Sequence, residues 1–371
     1  MKHYESTVRS LLDLAEIEIN GPRPWDIQIN DERFYRRVLA SAALGFGESY
    51  VDGWWDCEQL QTLVRKILRA GLEERIRPLK LLLPVAAAKL FNLQNSSRAF
   101  QIGEHHYDLG NDMFKLMLDQ RMAYTCAYWK DARDLDSAQE AKLDLVCRKI
   151  GLEQGMKVLD IGCGWGSFAK FAAEKYQTEV VGITVSKEQI ELGRQMCRGL
   201  PVELEYQDYR DLDGVFDRIV SLGMFEHVGV KNYKTFMQVV DRCLHPDGLF
   251  LLHTIGSTTK AASVDPWTNK YIFPNGVLPT PTRLTRACGE LFHIEDWHNL
   301  NVNYAKTLMA WMERFDANWE AIKALGYSDR FYRMWRFFLM TAAGSFSARY
   351  IHLWQIVYSK NGVEGGYEAI R

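Results

Sequence analysis

Long apolar runs are missing from this sequence. The longest, Leu81-Leu82-Leu83-Pro84-Val85-Ala86-Ala87-Ala88, is interrupted by Pro84. It falls far short of the ~20 apolar residues that span a bilayer, so no transmembrane helix is expected. A charge excess is missing too, since 45 Lys and Arg face 47 Asp and Glu. Nucleic-acid binding needs a surplus of cations opposite the phosphates, so no nucleic acid is expected as a partner. The near balance also excludes an acidic, disordered chain. Cys57, Cys126, Cys147, Cys163, Cys197, Cys243 and Cys288 form no CxxC pair and no zinc-type Cys/His spacing, so no metal site is expected. The expectation is reduced, mostly buried thiols and a cytoplasmic location. The opening residues, MKHYESTVRSLLDLAEIEINGPRP, lack an apolar core and a small-residue cleavage pattern, so they do not read as a signal peptide.

What the chain has in excess is aromatic surface, 12% of its residues, with 11 Trp. Such surface belongs to large cores or to the site of a large apolar ligand. At 371 residues the chain exceeds one average domain and predicts two. Residues 1–78 show helical apolar spacing: Val8, Leu11 and Leu12; then Phe34, Val38, Leu39 and Ala42; then Leu60, Leu63, Val64 and Ile67. Gly45-Phe46-Gly47-Glu48-Ser49-Tyr50 is expected to break the second helix, because two glycines lower helix propensity. Pro78, Pro84 and Gln94-Asn95-Ser96-Ser97 mark a linker over 79–97. Its Lys80, Leu81–Leu83 and Lys89-Leu90-Phe91 also suit a short helix on lipid head groups.

From about Gly151, strands and helices alternate. Strands are predicted at 157–161, 179–183, 202–206, 216–220 and 248–252, with helices at 167–176 and 187–198. Such βαβ units imply a mostly parallel sheet. After Asp265 the chain reads as irregular and aromatic, then as helix near 307–325 and 329–349. The predicted architecture is α/β: a Rossmann-like catalytic domain over 98–371 and a small, mainly helical N-terminal domain for lipid binding or dimerisation.

Val158-Leu159-Asp160-Ile161-Gly162-Cys163-Gly164-Trp165-Gly166 is the sharpest local signal. A strand ends in an acid, and three alternate glycines precede a helix. Glycines permit positive φ and let a ligand approach the backbone. The following helix N-terminus offers free N–H groups. A nicotinamide dinucleotide loop would read G-x-G-x-x-G, whereas this one is G-x-G-x-G. The acid also suits a cationic ligand better than a pyrophosphate. The pattern resembles the first motif of S-adenosylmethionine-dependent methyltransferases, which implies the class I methyltransferase fold. Many relatives end their second strand in an acid that holds the ribose; Gly182-Ile183-Thr184-Val185-Ser186 has none. Thr184, Ser186 or Gln189 would then supply those hydrogen bonds. Gln207 and Asp208, after the third strand, suit an adenine edge.

Four further segments join the glycine loop: His106-Tyr107-Asp108-Leu109-Gly110-Asn111-Asp112, Tyr124-Thr125-Cys126-Ala127-Tyr128-Trp129, Met224-Phe225-Glu226-His227-Val228-Gly229 and Leu251-Leu252-His253-Thr254-Ile255-Gly256. Together they resemble the cyclopropane-fatty-acyl-phospholipid synthases, to which the mycolic acid cyclopropane synthases are related. The resemblance implies methyl transfer from S-adenosylmethionine to a cis double bond of a phospholipid acyl chain. A carbocation follows, and loss of a proton closes the ring. The site must exclude water, which would trap the cation. The resemblance further implies bicarbonate as the base, held by Cys126, Glu226, His253, Tyr304 and the backbone of Ile255. It places Tyr124, Thr125, Asp160, Gly162, Gly164, Gly166, Thr184, Ser186, Gln189, Gln207 and Asp208 around the cofactor.

Taken alone, Cys126 and Tyr304 read as core residues, while His253 ends the 249–252 strand at the sheet edge where α/β sites lie, with a satisfied buried histidine as the rival reading. Glu226 follows a strand at the edge where α/β sites lie. His106 and His227 stay unassigned. Leu339–Phe346 holds no Cys, so a covalent thiol there is excluded. A homodimer and transient contact with the inner face of the membrane are implied as well. Phe331, Trp335 and Phe338 share a helical face beside Arg330, Arg333 and Arg336, which suits either lipid phosphates or a buried aromatic face. Residues 265–274 suit an acyl channel or lid, or simple loop packing. Rival readings are a lipid methyltransferase giving methyl-branched or hydroxylated chains, a small-nucleophile methyltransferase using Glu226 or His253 as base, and a lipid-binding protein with a dead cofactor site.

Overall fold

The computed structural model describes residues 2–72, 110–258 and 264–371. The expected linker over 79–97 and His106 lie outside the described residues. The chain divides into two compact units. One takes the described residues up to 72 together with Val264–Pro274 and Tyr304–Ile351. The other takes the described residues from 110 to 258 with Asn275–Asn303 and His352–Arg371. The late aromatic segments, read from sequence as part of a continuous 98–371 domain, therefore group with the N-terminal helices.

The second unit is built on a seven-stranded sheet. Its strands are β1 Lys157–Ile161, β2 Glu179–Thr184, β3 Val202–Tyr206, β4 Phe216–Leu222, β5 Leu244–Gly256, β6 His293–Asn299 and β7 His352–Ser359. The spatial order is β3-β2-β1-β4-β5-β7-β6. The first five run parallel, and β7 pairs antiparallel with both β5 and β6. This is the class I methyltransferase fold, α/β with a mostly parallel sheet.

Helices Ser167–Tyr176 and Lys187–Met196 make the crossovers, as predicted. The apolar strands explain the burial: Val158, Leu159, Ile161, Ile219 and Val220 are all inaccessible or nearly so. The strand order reverses at β1 and β4, and the crevice at their carboxyl ends is where such sheets bind ligands.

Strands β6 and β7 are corrections to the expected irregular tail. The β6 residues, His-Ile-Glu-Asp-Trp-His-Asn, are mostly polar because the strand lies at the sheet edge. Every residue of β7 is buried, so it lacks the alternation that marks a half-exposed strand.

The first unit is mainly helical. Its helices include Lys2–Asp13, Arg33–Val51, Leu60–Arg69, Pro266–Tyr271 and Asp329–Ser347. The predicted break at 45–50 does not occur. Helix Arg33–Val51 runs through both glycines and kinks earlier, at Ala42. The glycines serve close packing instead. A Cβ at Gly47 would lie 2.4 Å from the Trp267 ring, and one at Gly45 would lie 2.4 Å from the Arg37 carbonyl.

Aromatics fill this core. Trp55 lies 4.3 Å from Phe46 and Trp267 lies 4.6 Å from Phe337, centroid to centroid. Trp335 and Phe338 are buried, so the 331/335/338 face belongs to this core. The neighbouring arginines are engaged within the unit. Arg330 pairs with Asp52, Arg333 donates to the Tyr50 and Trp55 carbonyls, and Arg336 donates to the Glu58 carbonyl. Among the described residues, no helix is long and apolar enough to cross a membrane.

Candidate active site

Where β1 ends, Asp160 is 1% exposed and Gly162, Gly164 and Gly166 adopt φ of +88°, +56° and +79°. The backbone N–H groups of Gly162 and Cys163 both donate to the Ile183 carbonyl at 2.9 Å, folding the loop toward β2. A Cβ at Gly162 would lie 2.6 Å from the Met224 Cβ, so only glycine fits there. One cavity opens over this loop. Tyr124, Thr125, Asp160, Gly162, Gly164, Thr184, Ser186, Gln189, Gln207 and Asp208 all line it. Gly166 does not. A Cβ there would lie 3.2 Å from both Cys197 and Leu204, so this glycine faces the packed side of the turn.

Beyond β2, Ser186 caps helix Lys187–Met196 by accepting from the Gln189 N–H at 3.3 Å. The Thr184 hydroxyl donates to Gln189 Oε1 at 3.4 Å. The three expected ribose partners thus form one local network. The Asp208 carboxylate is held by Arg210 Nη1 at 2.7 Å and 3.0 Å.

Glu226 lies on a short turn after β4. Gly223 enters the turn with φ of +76°, and its N–H donates to the His253 carbonyl at 2.8 Å. The Ile255 N–H donates to Glu226 Oε1 at 2.5 Å, while Oε2 is buried without a partner. Burial pushes the Glu226 carboxyl up to about 7, although the Ile255 N–H works against that rise. His253 is fully buried on β5, opposite Gln355 of β7, and its Nδ1 lies 3.3 Å from the Gln355 amide nitrogen. Its Nε2 is buried without a partner. Burial, with Lys142 and Lys149 adding to it, holds His253 well below the usual imidazole range, so the ring is neutral. Cys126 is fully buried and its thiol donates to the Ala127 carbonyl at 3.2 Å.

Three of the expected bicarbonate holders are thus connected directly: Glu226 bonds Ile255, two residues along β5 from His253. Tyr304 belongs to the first unit, where its ring packs on Phe346 at 4.6 Å and Trp311 at 6.0 Å.

The sequence reading missed Gln139, Lys142, His227 and Gln355. Gln139 and Lys142 sit on helix Leu135–Lys149 and are buried. A signal was present: Leu135, Gln139, Lys142 and Val146 follow the i, i+4, i+7, i+11 spacing of one buried face. Polar groups within such a stripe ask for a reason. Lys142 and His227 both line the cavity, and burial holds His227 down to about 4.

Comparison with known proteins fits this geometry. Residues 94–356 match the family model described as mycolic acid cyclopropane synthetase. The chain is 54% identical over 362 residues to the cyclopropane-fatty-acyl-phospholipid synthase of Escherichia coli strain K12, covering 97% of this chain and 94% of that one. The solved cyclopropane synthase MmaA2 of Mycobacterium tuberculosis superposes with a TM-score of 0.67 at 31% identity, over 73% of this chain and all of that one (100%). The mycolic acid cyclopropane synthase CmaA1, solved with SAH and CTAB, gives a TM-score of 0.66 at 35% identity, over 70% and 98%. The family match over residues 94–356 and the identity along nearly the whole chain place it: the chain belongs to the mycolic acid cyclopropane synthetase family of S-adenosylmethionine-dependent methyltransferases.

Proposed function

We propose that this enzyme transfers a methylene from S-adenosylmethionine across the cis double bond of an unsaturated phospholipid acyl chain. The observation that carries the reading is the 54% identity, over 97% of the chain, to an enzyme named for that product. When bound, S-adenosylmethionine supplies an electrophilic methyl group. The chain's own residues have three tasks: to hold the cofactor, to keep water from a developing carbocation, and to receive one proton. The cavity over Gly162 and Gly164 suits the first task. Tyr124, which also lines it, offers an aromatic face that would favour a cation.

For the third task, we assign Cys126, Glu226, His253, Tyr304 and the Ile255 backbone as holders of bicarbonate, which would act as the proton acceptor. Two observations support the fit. Glu226 Oε2 and His253 Nε2 are buried polar atoms without partners, as expected of groups that await a small polar ligand. With the Gln355 amide donating to Nδ1, the His253 proton sits on Nε2, ready to donate to an anion. A Glu226 carboxyl near 7 can keep or release a proton around neutrality, so it can accept one from the ligand. Tyr304 enters this set on the family resemblance alone. The reading carries with it a homodimer and peripheral contact with the inner face of the membrane, because the acyl chain must be reached from a bilayer.

The test uses purified protein, S-adenosylmethionine and vesicles of cis-unsaturated phospholipid, with the acyl chains analysed by mass spectrometry. A gain of one methylene with loss of the olefin supports the proposal. A methyl-branched or hydroxylated chain assigns the runner-up reading. Unmodified lipid in every vesicle overturns both. Turnover in carbonate-free buffer should fall and return on adding bicarbonate; turnover indifferent to bicarbonate removes that assignment.

A further inference from the structure

Lys142 is an ammonium in an unusual place. The residue is 1% exposed, and it lines the cavity over the glycine loop. Its Nζ donates to Thr125 Oγ1 at 2.9 Å. Among the described residues, no carboxylate lies within ion-pairing distance of it. A lysine ammonium has three donors, so two remain unused. Burying a charge without a counter-ion is costly unless a ligand completes the site. Burial accordingly pushes Lys142 down to about 8, which still leaves it protonated at neutral pH.

Asp160 presents the opposite problem in the same cavity. It is 1% exposed, and its Oδ1 is buried without a partner. Burial pushes the Asp160 carboxyl up to about 7, although Lys142 works against that rise, and a ligand ammonium beside it would favour its ionised form. The cavity thus holds one under-partnered ammonium and one under-partnered carboxyl. The other charged pair lining it, Asp208 and Arg210, is already bonded together. A ligand carrying both an α-carboxylate and an α-ammonium would satisfy Lys142 and Asp160 at once. S-adenosylmethionine has both in its amino-acid tail.

The surroundings make this end of the cavity rigid. Gln139, one turn before Lys142 on the same helix face, donates to the Ala123 carbonyl at 3.1 Å and the Thr125 carbonyl at 2.8 Å. The Asp134–Ser137 capping box fixes the start of that helix. Thr125 is therefore held by its backbone and its hydroxyl. With the hydroxyl oxygen accepting from Lys142, the hydroxyl hydrogen is available to a ligand.

We propose that Lys142 and the Thr125 hydroxyl together receive the α-carboxylate of the cofactor's amino-acid tail, with Asp160 on its ammonium. The role is binding and electrostatic balance. An unneutralised ammonium here would repel the sulfonium, and the tail carboxylate removes that repulsion. The inference rests on this cavity being the cofactor site.

Titration calorimetry with two ligands tests it. One is S-adenosylhomocysteine. The other is its decarboxylated analogue, S-adenosyl-3-thiopropylamine, which keeps the nucleoside, sulfur and amine. The unmodified protein should prefer S-adenosylhomocysteine by about 10- to 100-fold, the worth of a hydrogen bond to a charged group. Equal affinities overturn the proposal without any mutation. Lys142→Met, an apolar side chain of similar length, should lose that preference while binding the analogue within about twofold of the unmodified protein. If Lys142→Met keeps the full preference, Lys142 does not read the carboxylate. Asp208→Ala separates the two layers of the argument. It should weaken both ligands; if both still bind unchanged, the cavity is not the cofactor's and both readings fall.

Discussion

Replacing Glu226 by Gln should make the protein less active and, at high pH, relatively more stable. The carboxyl is 7% exposed and raised from an ordinary 4.5 to about 7 by burial. The folded state therefore binds this proton more tightly than the unfolded chain does. Stability contributed by the protonated form is present at low pH and is lost as pH climbs from the unfolded value toward about 7. At about 1.4 kcal/mol per tenfold change, the native state pays about 3 kcal/mol for an ionised Glu226 above that range.

Glutamine does not titrate, so the variant escapes this loss. It keeps an acceptor for the Ile255 N–H but buries an amide where Oε2 stood. That orphaned amide costs about 1 to 3 kcal/mol at every pH. The diagnostic quantity is therefore a difference between pH values. The stability of the variant relative to the unmodified protein should rise by about 2 to 3 kcal/mol between about pH 5 and about pH 8. Urea unfolding followed by tryptophan fluorescence at both pH values measures it. Other titrating groups, such as Asp160, are common to both proteins and cancel. Turnover should drop by about 10²- to 10⁴-fold, the usual worth of a positioned proton-handling group. S-adenosylhomocysteine should still bind. A stability gap that does not change with pH would refute the reasoning about Glu226 burial, and normal turnover would refute its role.

Gly162→Ala combines a φ of +88° with a Cβ only 2.6 Å from the Met224 Cβ, so it should lower the melting temperature and weaken S-adenosylhomocysteine at least tenfold, on the order of 1 to 2 kcal/mol for the backbone alone. Unchanged calorimetric affinity would show that the loop does not set the cofactor surface. Arg371→Ala removes two donors from buried Asp296, at 2.5 Å and 2.6 Å, leaving it with Lys149 at 3.3 Å. Burial alone would raise the Asp296 carboxyl, but Arg371 and Lys149 outweigh it and hold the group below its ordinary range. Its contribution is thus present above the unfolded value and is lost as pH falls through the lowered folded value. The variant should be about 1 to 3 kcal/mol less stable near neutrality, with the deficit shrinking in strong acid. A deficit that grows on acidification would contradict the pairing.

Much of the catalytic fold was legible because its signals are local. Alternating apolar strands and capped helices between 157 and 206 need only neighbouring residues to declare themselves. The glycine loop is similar: Asp160 and the three glycines announce a tight strand-to-helix turn by residue type alone. So do Thr184, Ser186 and Gln189, where the Thr184 hydroxyl donates to the Gln189 side chain and the Ser186 hydroxyl accepts from the Gln189 N–H, all within six residues. The sequence also determined the family, because separate motifs occur in one order along the chain.

What only tertiary structure decided depends on partners distant in sequence. Gly45 and Gly47 look like helix breakers until Trp267 and the Arg37 carbonyl are seen pressed against them. Strand β6 looks like a polar loop until β7 supplies its backbone hydrogen bonds. The arginines at 330, 333 and 336 look available for phosphates until their carbonyl and carboxylate partners appear. Lys142 is the sharpest case. A lysine in a helix reads as solvated, and its meaning lies in its surroundings: it is buried, its ammonium donates to one threonine hydroxyl, and among the described residues no carboxylate lies within ion-pairing distance. Burial and the lack of a counter-ion are properties of the packed molecule, because desolvation is set by every neighbour at once and is written in no single stretch of the chain.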